Sequence, residues 1–584
     1  MRSAQPPLRG PALEDVYGEL MPALVGDEAA CKGDEDAWEF AVQAGLYEQL
    51  VRCMDSHASD ADVQSLCCSV LETMAHPDAA DRECWAGHLE AAVRAGAVRA
   101  VVAALRAHGR RNDAVLFFGA CALDTMVTGD GPALSLARDG RAAEALAAGL
   151  PLALRSAAAG NARTLASVLT LLSFLVCLDV ACAQQAARPG TLGALAEALG
   201  VHGNSPETVK HACFAMSLIV KCASTQECAA AADACVAALR PVVATHDDLC
   251  VSLVAWNCME ALLRDNRLAA KRAAAAGLGQ QAVRTLRVLF AGEQGAADDL
   301  GFRVAAQACY VLSSVLEEGT ARSRNAVHAE GAGPAIVSML RAHGAASDIL
   351  VAAGCEALVC VLQTAQDDWF AGESLRLVAD VTAVMREHHA NVRVQAPAVE
   401  ALACLTLSAL RAASDGTLDA AYGAANNASD LARRLADAGA LEAAAGALQA
   451  FSVDELQLRD FAIATLVVVC SGAAVQDTGP PLQACVAARA ARAGVGTALA
   501  AALAQAPVNS LVQSRAVALV AALAEVPPPR ACDGCGAVDA PELKRCGRCR
   551  SARFCSVACQ RAAWPAHKTV CVPVARATAD DTHT

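Results

Sequence analysis

Apolar residues recur at three- and four-residue spacing in ten long stretches. They are Val63–Ala75, Val115–Val127, Thr164–Leu178, Val209–Cys222, Leu249–Leu263, Val304–Leu316, Leu350–Leu362, Val392–Leu407, Leu458–Cys470 and Leu511–Ala524. This spacing spreads apolar side chains round most of a helix, and a helix apolar nearly all round is a buried one. A shorter phrase alternates with these stretches: small residues, a glycine, an amphipathic helix pattern, then a histidine or other polar stop. Ala92–His108 (AVRAGAVRAVVAALRAH) and Ala326–His343 (AVHAEGAGPAIVSMLRAH) show it well. The marker glycines are Gly45, Gly96, Gly190, Gly277, Gly331, Gly439 and Gly494, with weaker copies near Gly140, Asp233 and Asp380. Glycine ends a helix because it enters the left-handed region without a Cβ clash. His57, His108, His202 and His343 close the phrase helix at the negative end of its dipole.

With the weaker copies filled in, the step is roughly 45–60 residues. Such a unit cannot bury its apolar face alone, so neighbouring units must stack. The expected fold is all-α, a solenoid of about ten repeats over residues 26–526. Residues 1–25 read as a tail with a possible cap helix at Leu13–Leu24. The AGA-x-x-x-L-V-x-x-L phrase followed by a V-x-x-x-A-x-x-x-L helix resembles armadillo/HEAT repeats, over roughly residues 30–525. Armadillo proteins that hold extended peptides often carry an asparagine on each third helix. Here Thr73, Thr125, Leu218 and Ser314 align there, so the resemblance does not extend to an asparagine ladder. Ala412–Asp430 and Gln476–Pro481 read as surface loops.

Composition narrows the class. The chain of 584 residues is 55% hydrophobic and 18% charged, a folded rather than a disordered balance. A formal charge of -14 argues against general affinity for nucleic acid. The longest apolar run, Thr164–Leu178, ends at Asp179 and falls short of the ~18 residues of a membrane span. Residues 1–12 lack the apolar core of a signal peptide. Of the 27 cysteines, twenty are scattered through the helical pattern, Cys67, Cys68, Cys121, Cys177, Cys213, Cys309, Cys360, Cys404 and Cys470 among them. Most are expected to be small buried residues in a reducing compartment, cytoplasm or nucleus.

The other seven crowd into CDGCGAVDAPELKRCGRCRSARFCSVACQRAAWPAHKTVC, residues 532–571. Cys532, Cys535, Cys546, Cys549, Cys555, Cys559, His567 and Cys571 are spaced C-x2-C, x10, C-x2-C, x5, C-x3-C, x7, H-x3-C. Thiolate and imidazole are the ligands of tetrahedral Zn²⁺, and a C-x2-C turn brings two sulfurs to one metal. Eight ligands suffice for two structural Zn²⁺ ions with no open position for catalytic water. A disulfide cluster is the poorer reading, because seven cysteines and one in-register histidine do not pair. Fewer than about 40 residues rarely fold without such staples. Pro527–Pro529 separates the segment (530–571) from the last helix, and residues 572–584 read as a disordered tail.

The segment resembles a MYND-type zinc finger in all eight ligands, in Phe554 and Gln560, and in the W-x2-H-K-x2-C tail of Trp564, His567, Lys568 and Cys571. The resemblance implies interleaved sites: Cys532, Cys535, Cys555 and Cys559 for one zinc, Cys546, Cys549, His567 and Cys571 for the other. It also implies that Gln560 and Trp564 line a groove for proline-containing peptides. An aromatic face beside an amide donor suits a polyproline II segment, and Pro527–Pro529 is a candidate intramolecular ligand. The finger's seven Lys and Arg stand against three Asp and Glu; the simpler reading is a solvated surface that offsets the thiolate charge.

No Walker A loop, H-E-x-x-H or G-x-S-x-G motif is present. The expected function is therefore non-catalytic: an intracellular zinc-binding scaffold whose finger takes short proline-containing peptides and whose solenoid takes a larger protein partner. The alternative is a protein-lysine methyltransferase of the SET-plus-MYND type, disfavoured because the SET core needs strands and an Asn-His cofactor motif. His328 and the pair His388–His389 read as surface or loop-end residues.

Overall fold

The computed structural model describes residues 45–75, 82–127, 131–245, 248–290, 299–343, 347–364, 374–414, 428–450, 456–471, 486, 489–491, 493–504, 511–524, 544–546, 548–549, 552–554 and 556–571. The cap segment, Gln476–Pro481, Pro527–Pro529 and the tail beyond 571 lie outside these residues, as do Cys532, Cys535 and Cys555; of the predicted loop Ala412–Asp430, residues 415–427 lie outside, while its two ends are helical, in Val392–Ser414 and Ala428–Asp437.

The chain forms two compact units, Met1–Ile336 and Val337–Thr584. In the first, the long apolar stretches become helices Ala61–Ala75, Asp113–Met126, Ala162–Leu178, Pro206–Cys222, Leu249–Leu263 and Asp299–Glu318, each packed on the next. In the second, Asp348–Thr364, Val392–Ser414, Leu456–Ser471 and Leu511–Ala524 pack in the same succession. The phrase helices flank them: Leu46–Ser56, Ala97–His108, Ala142–Ala158, Thr191–His202 and Leu278–Leu289 in the first unit, Ala440–Ala450 and Val495–Ala504 in the second. The fold is an armadillo-like α-solenoid.

Local chemistry sets the ends of these helices. Asn112 Oδ1 accepts the Val115 N–H at 3.0 Å, and Asp248 Oδ1 accepts that of Cys250 at 2.7 Å, so both cap a long helix. Ser205 caps helix Pro206–Cys222, with Pro206 in the first turn, where its missing N–H costs nothing. All seven marker glycines have positive φ, from 69° at Gly45 to 96° at Gly439. The weaker copies differ. At Gly140 the left-handed residue is Arg141, φ 66°. Asp233 and Asp380 lie inside the unbroken helices Thr225–Thr245 and Ser374–Glu387: with no glycine to enter the left-handed region, the two short helices of the phrase run on as one.

Burial follows the pattern. Leu, Val and Ala dominate the core, and Trp256 is its largest fully buried side chain. Cys67, Cys68, Cys213, Cys309, Cys360 and Cys470 are buried, Cys121 and Cys404 half-buried, but Cys177 is exposed at the end of its helix. Burial pushes the Cys68, Cys182, Cys235, Cys355 and Cys470 thiols up to about 12, so they are neutral apolar fillers. Ala162–Leu178 is a buried helix, and no helix among the described residues is long and apolar enough to cross a membrane.

Polar groups join successive repeats. Asp113 Oδ2 accepts from Ser156 Oγ, Asn161 Nδ2 and Thr164 Oγ1 at 2.9–3.1 Å. His388 stands at the loop end expected for it, in the turn after helix Ser374–Glu387, but is nearly buried, its Nδ1 2.5 Å from Asp348 Oδ1. Two glutamines repeat one device. Gln64 Nε2 donates to the Met54 and His57 carbonyls, and Gln395 Nε2 to those of Met385 and His388. Each is 2% exposed and satisfies the orphan carbonyls at the end of the preceding helix.

Candidate metal centre and interaction faces

The finger is built on two short elements. Strands Lys544–Arg545 and Arg553–Phe554 pair antiparallel, with Lys544 opposite Phe554, and the Cys546 N–H donates to the Ala552 carbonyl at 2.8 Å. The tight return between them holds the C-x2-C pair Cys546 and Cys549. Helix Val557–Val570 follows; the Ser556 hydroxyl caps it by accepting the Cys559 N–H at 3.1 Å. His567 stands in its last turn and Cys571 just beyond its end.

These elements bring four donors together. The ligand atoms of Cys546, Cys549, His567 and Cys571 all lie within 4.8 Å of one another. Cys546 Sγ is 3.9 Å from Cys571 Sγ, and Cys549 Sγ is 3.4 Å from His567 Nε2. A tetrahedron with Zn–S bonds of about 2.3 Å has edges of about 3.8 Å, so the donor set and its spacing fit Zn²⁺. Backbone N–H groups of Cys549 and Arg548 point at the Cys546 sulfur and pull its thiol down to about 6. Burial, then the Cys549 and Cys546 sulfurs beside it, push Cys571 up to about 11, and the Cys546 sulfur raises His567. Packed thiolates that repel one another are stabilised by a divalent cation between them.

Of the other predicted set, Cys559 is described; it is half-buried and packs against the small core of Cys546, Cys549, Ala552, Phe554 and Cys571. Phe554 meets the His567 ring edge-on at 5.7 Å, and Trp564 lies 5.8 Å from it, fixing the imidazole from two sides. Gln560 and Trp564 are one turn apart and half-buried, Trp564 resting partly on that core. Sequence reasoning missed the Arg548 and Cys549 N–H groups, whose signal was the C-x2-C turn itself.

The solenoid has its own concave feature. A furrow of about 350 Å³ crosses four successive helices of the first unit, with Phe174, Phe214 and Val254 as apolar walls and Cys177, Lys210 and His211 at its edge. Ser173 Oγ lies 2.8 Å from both the Thr170 carbonyl and His211 Nδ1, tying the imidazole to the neighbouring helix. Burial lowers His211 below the usual histidine value and raises Asp124 across the furrow. At the positions aligned with the asparagine ladder, Thr73, Thr125 and Ser314 turn their hydroxyls onto carbonyls of their own helices.

Residues 532–571 match one family model, the MYND finger. A comparison with curated proteins returned no match. Solved structures similar to this chain include an engineered protein studied by the Northeast Structural Genomics Consortium, at 18% identity and TM-score 0.54, covering 82% of this chain and 99% of that one. Another comes from work on a phosphorylation switch controlling the interaction between cadherin and beta-catenin, at 16% identity and TM-score 0.52, covering 85% and 98%. At that identity the likeness concerns the fold. A MYND finger is a zinc-binding module, and the gathered thiols and imidazole suit that metal.

Proposed function

We propose that this protein is a non-catalytic interaction scaffold: a zinc-held MYND finger that takes a short proline-containing peptide, joined to a solenoid that takes a larger protein partner. The observation that carries it is the convergence of Cys546, Cys549, His567 and Cys571 at the foot of a helix that also carries the half-buried Gln560 and Trp564, one turn apart. Such a site uses all four tetrahedral positions for protein ligands and holds the helix, while the reaction chemistry of zinc needs an open position. In this reading Cys532, Cys535, Cys555 and Cys559 hold a second zinc. The Trp564 ring stacks on a proline face and Gln560 donates to a peptide carbonyl, the recognition mode of polyproline II ligands. The furrow between Phe174 and Phe214 seats a side chain of the larger partner. The methyltransferase alternative has less support, since the described strands amount to two short finger segments.

The test is a titration of the zinc-loaded full-length protein with fluorescein-labelled proline-rich peptides, read by anisotropy, with zinc content measured on the same sample. Two zincs per chain and saturable binding abolished by Gln560→Ala or Trp564→Ala are expected. Fewer than two zincs in a folded finger overturns the ligand assignment, and absence of binding overturns the peptide role. Methyl transfer from S-adenosylmethionine to bulk protein would establish the alternative.

A further inference from the structure

The finger helix presents a graded stripe. Gln560, Trp564 and Lys568 follow one another at four-residue steps, with Val557 and Arg561 beside them on the same side. Val557 is 51% exposed, Arg561 and Lys568 are exposed, and Gln560 and Trp564 are half-buried. The stripe therefore runs from Val557 past Gln560 and Arg561 to the Trp564 ring and on to Lys568, with a cation on either side of the ring. The helix also contains Pro565, which leaves the Arg561 carbonyl without its intrahelical donor on the exposed side.

Among the described residues, the charge around this stripe has one sign. The described residues of the finger include Lys544, Arg545, Arg548, Arg553, Arg561 and Lys568 and no aspartate or glutamate. Counted over residues 532–571, seven basic residues stand against three acidic ones, while the whole chain carries a formal -14. From composition, the simplest role of this surface is to offset the thiolate charge. The geometry divides the two roles: the sulfurs of Cys546, Cys549 and Cys571 are buried, whereas Arg561 and Lys568 project from the outer side of the helix. Among the described residues neither cation is in an ion pair. Two exposed cations bracketing an aromatic ring present a complementary field to a ligand that carries negative charge on either side of an apolar core.

We propose that the finger's ligand is an acidic proline-containing peptide, with its proline face on Trp564 and with Asp or Glu residues at its flanks meeting Arg561 and Lys568. This rests on the peptide-binding reading above and goes beyond it by naming the flanking charge. The proline core supplies contact area on the Trp564 ring, and the acidic flanks add discrimination and a faster encounter. Rim charges act mainly in that way, because exposed ion pairs are screened by water and salt.

The experiment uses zinc-loaded full-length protein and three fluorescein-labelled peptides. They share one uninterrupted proline–alanine core and differ in flanks of Glu, Gln or Lys. At low ionic strength the Glu peptide should bind about five- to tenfold tighter than the Gln peptide, and the Lys peptide weakest, as expected for two exposed charge pairs. The Glu advantage should shrink toward unity at about 1 M salt, where the Debye length is about 3 Å. In an Arg561→Glu, Lys568→Glu variant with unchanged zinc content, the order of the Glu and Lys peptides should reverse. Equal affinities for the Glu and Gln peptides at low salt, with both lost in Trp564→Ala, overturn the acidic preference and leave the peptide site standing. Binding of none of the three overturns both. A single-stranded oligonucleotide that binds more tightly than the Glu peptide, and still does so in Trp564→Ala, also overturns the proposal and assigns the basic face to nucleic acid.

Discussion

Cysteine behaves in opposite ways in the two parts of this protein. In the solenoid, Cys68 and Cys355 are surrounded by apolar side chains, and burial pushes their thiols up to about 12. In the finger, two backbone N–H groups aimed at Cys546 bring its thiol down to about 6. The first kind fills space in a core of closely packed Leu, Val and Ala side chains. The second kind belongs to a small core whose described members are Cys546, Cys549, Ala552, Phe554 and Cys571, three of them thiols of the gathered donor set. What separates a structural filler from a metal ligand is thus the local supply of hydrogen-bond donors and the amount of apolar mass available, not the residue type.

The contrast breaks most visibly on metal removal. Chelation should unfold residues 544–571 and leave the repeat helices intact, since structural zinc supplies roughly 10 kcal/mol or more of folding free energy to such a segment. Hydrogen exchange followed by mass spectrometry would show lost protection in the finger only, and Cys546→Ala should reproduce it. If the solenoid amides also exchange, the two parts do not fold independently. Acid should act in the same direction. His567 lies above its usual value and the Cys571 thiol at about 11, so protons compete with the metal at both. Metal binding near neutral pH then releases protons, and affinity falls as pH falls. Calorimetry in buffers of different ionisation enthalpy would count those protons.

The solenoid answers to volume instead. Trp256→Ala removes the largest fully buried side chain and should cost about 3–5 kcal/mol in denaturant unfolding, with zinc content unchanged. Gly96→Ala tests backbone alone: the nearest side-chain atom to a new Cβ is 4.0 Å away, but φ is +91°. A cost of about 1–2 kcal/mol is expected from the left-handed conformation. Smallest is Cys309→Ala, a buried solenoid thiol, at about 1 kcal/mol for one missing heavy atom. The same substitution at Cys546 removes one of the four gathered donors, and the ratio between the two is the sharpest measure of the difference.

Much of this organisation was legible along the chain. Ten apolar stretches became ten long helices, and the seven marker glycines took positive φ. Both signals are local: a helix is set by spacing within a few turns, and a left-handed turn by one residue without a Cβ. The weaker copies near Asp233 and Asp380 failed for the same reason, because nothing there forces a break. The inward turn of His388 toward Asp348 was hidden, since its partner lies a repeat away.

The amino-acid sequence by itself determined the helices, their stops, the eight-donor inventory of residues 532–571 and the acidic balance of the whole, because each depends on residue identity and short spacing. Tertiary structure alone decided that Cys546, Cys549, His567 and Cys571 meet within 4.8 Å, that Gln64 and Gln395 close the carbonyls of the helix before them, and that Cys177 faces a furrow rather than the core. Those facts depend on which side chains distant segments bring together when helices pack, and packing is a property of pairs of surfaces that no single stretch of chain contains.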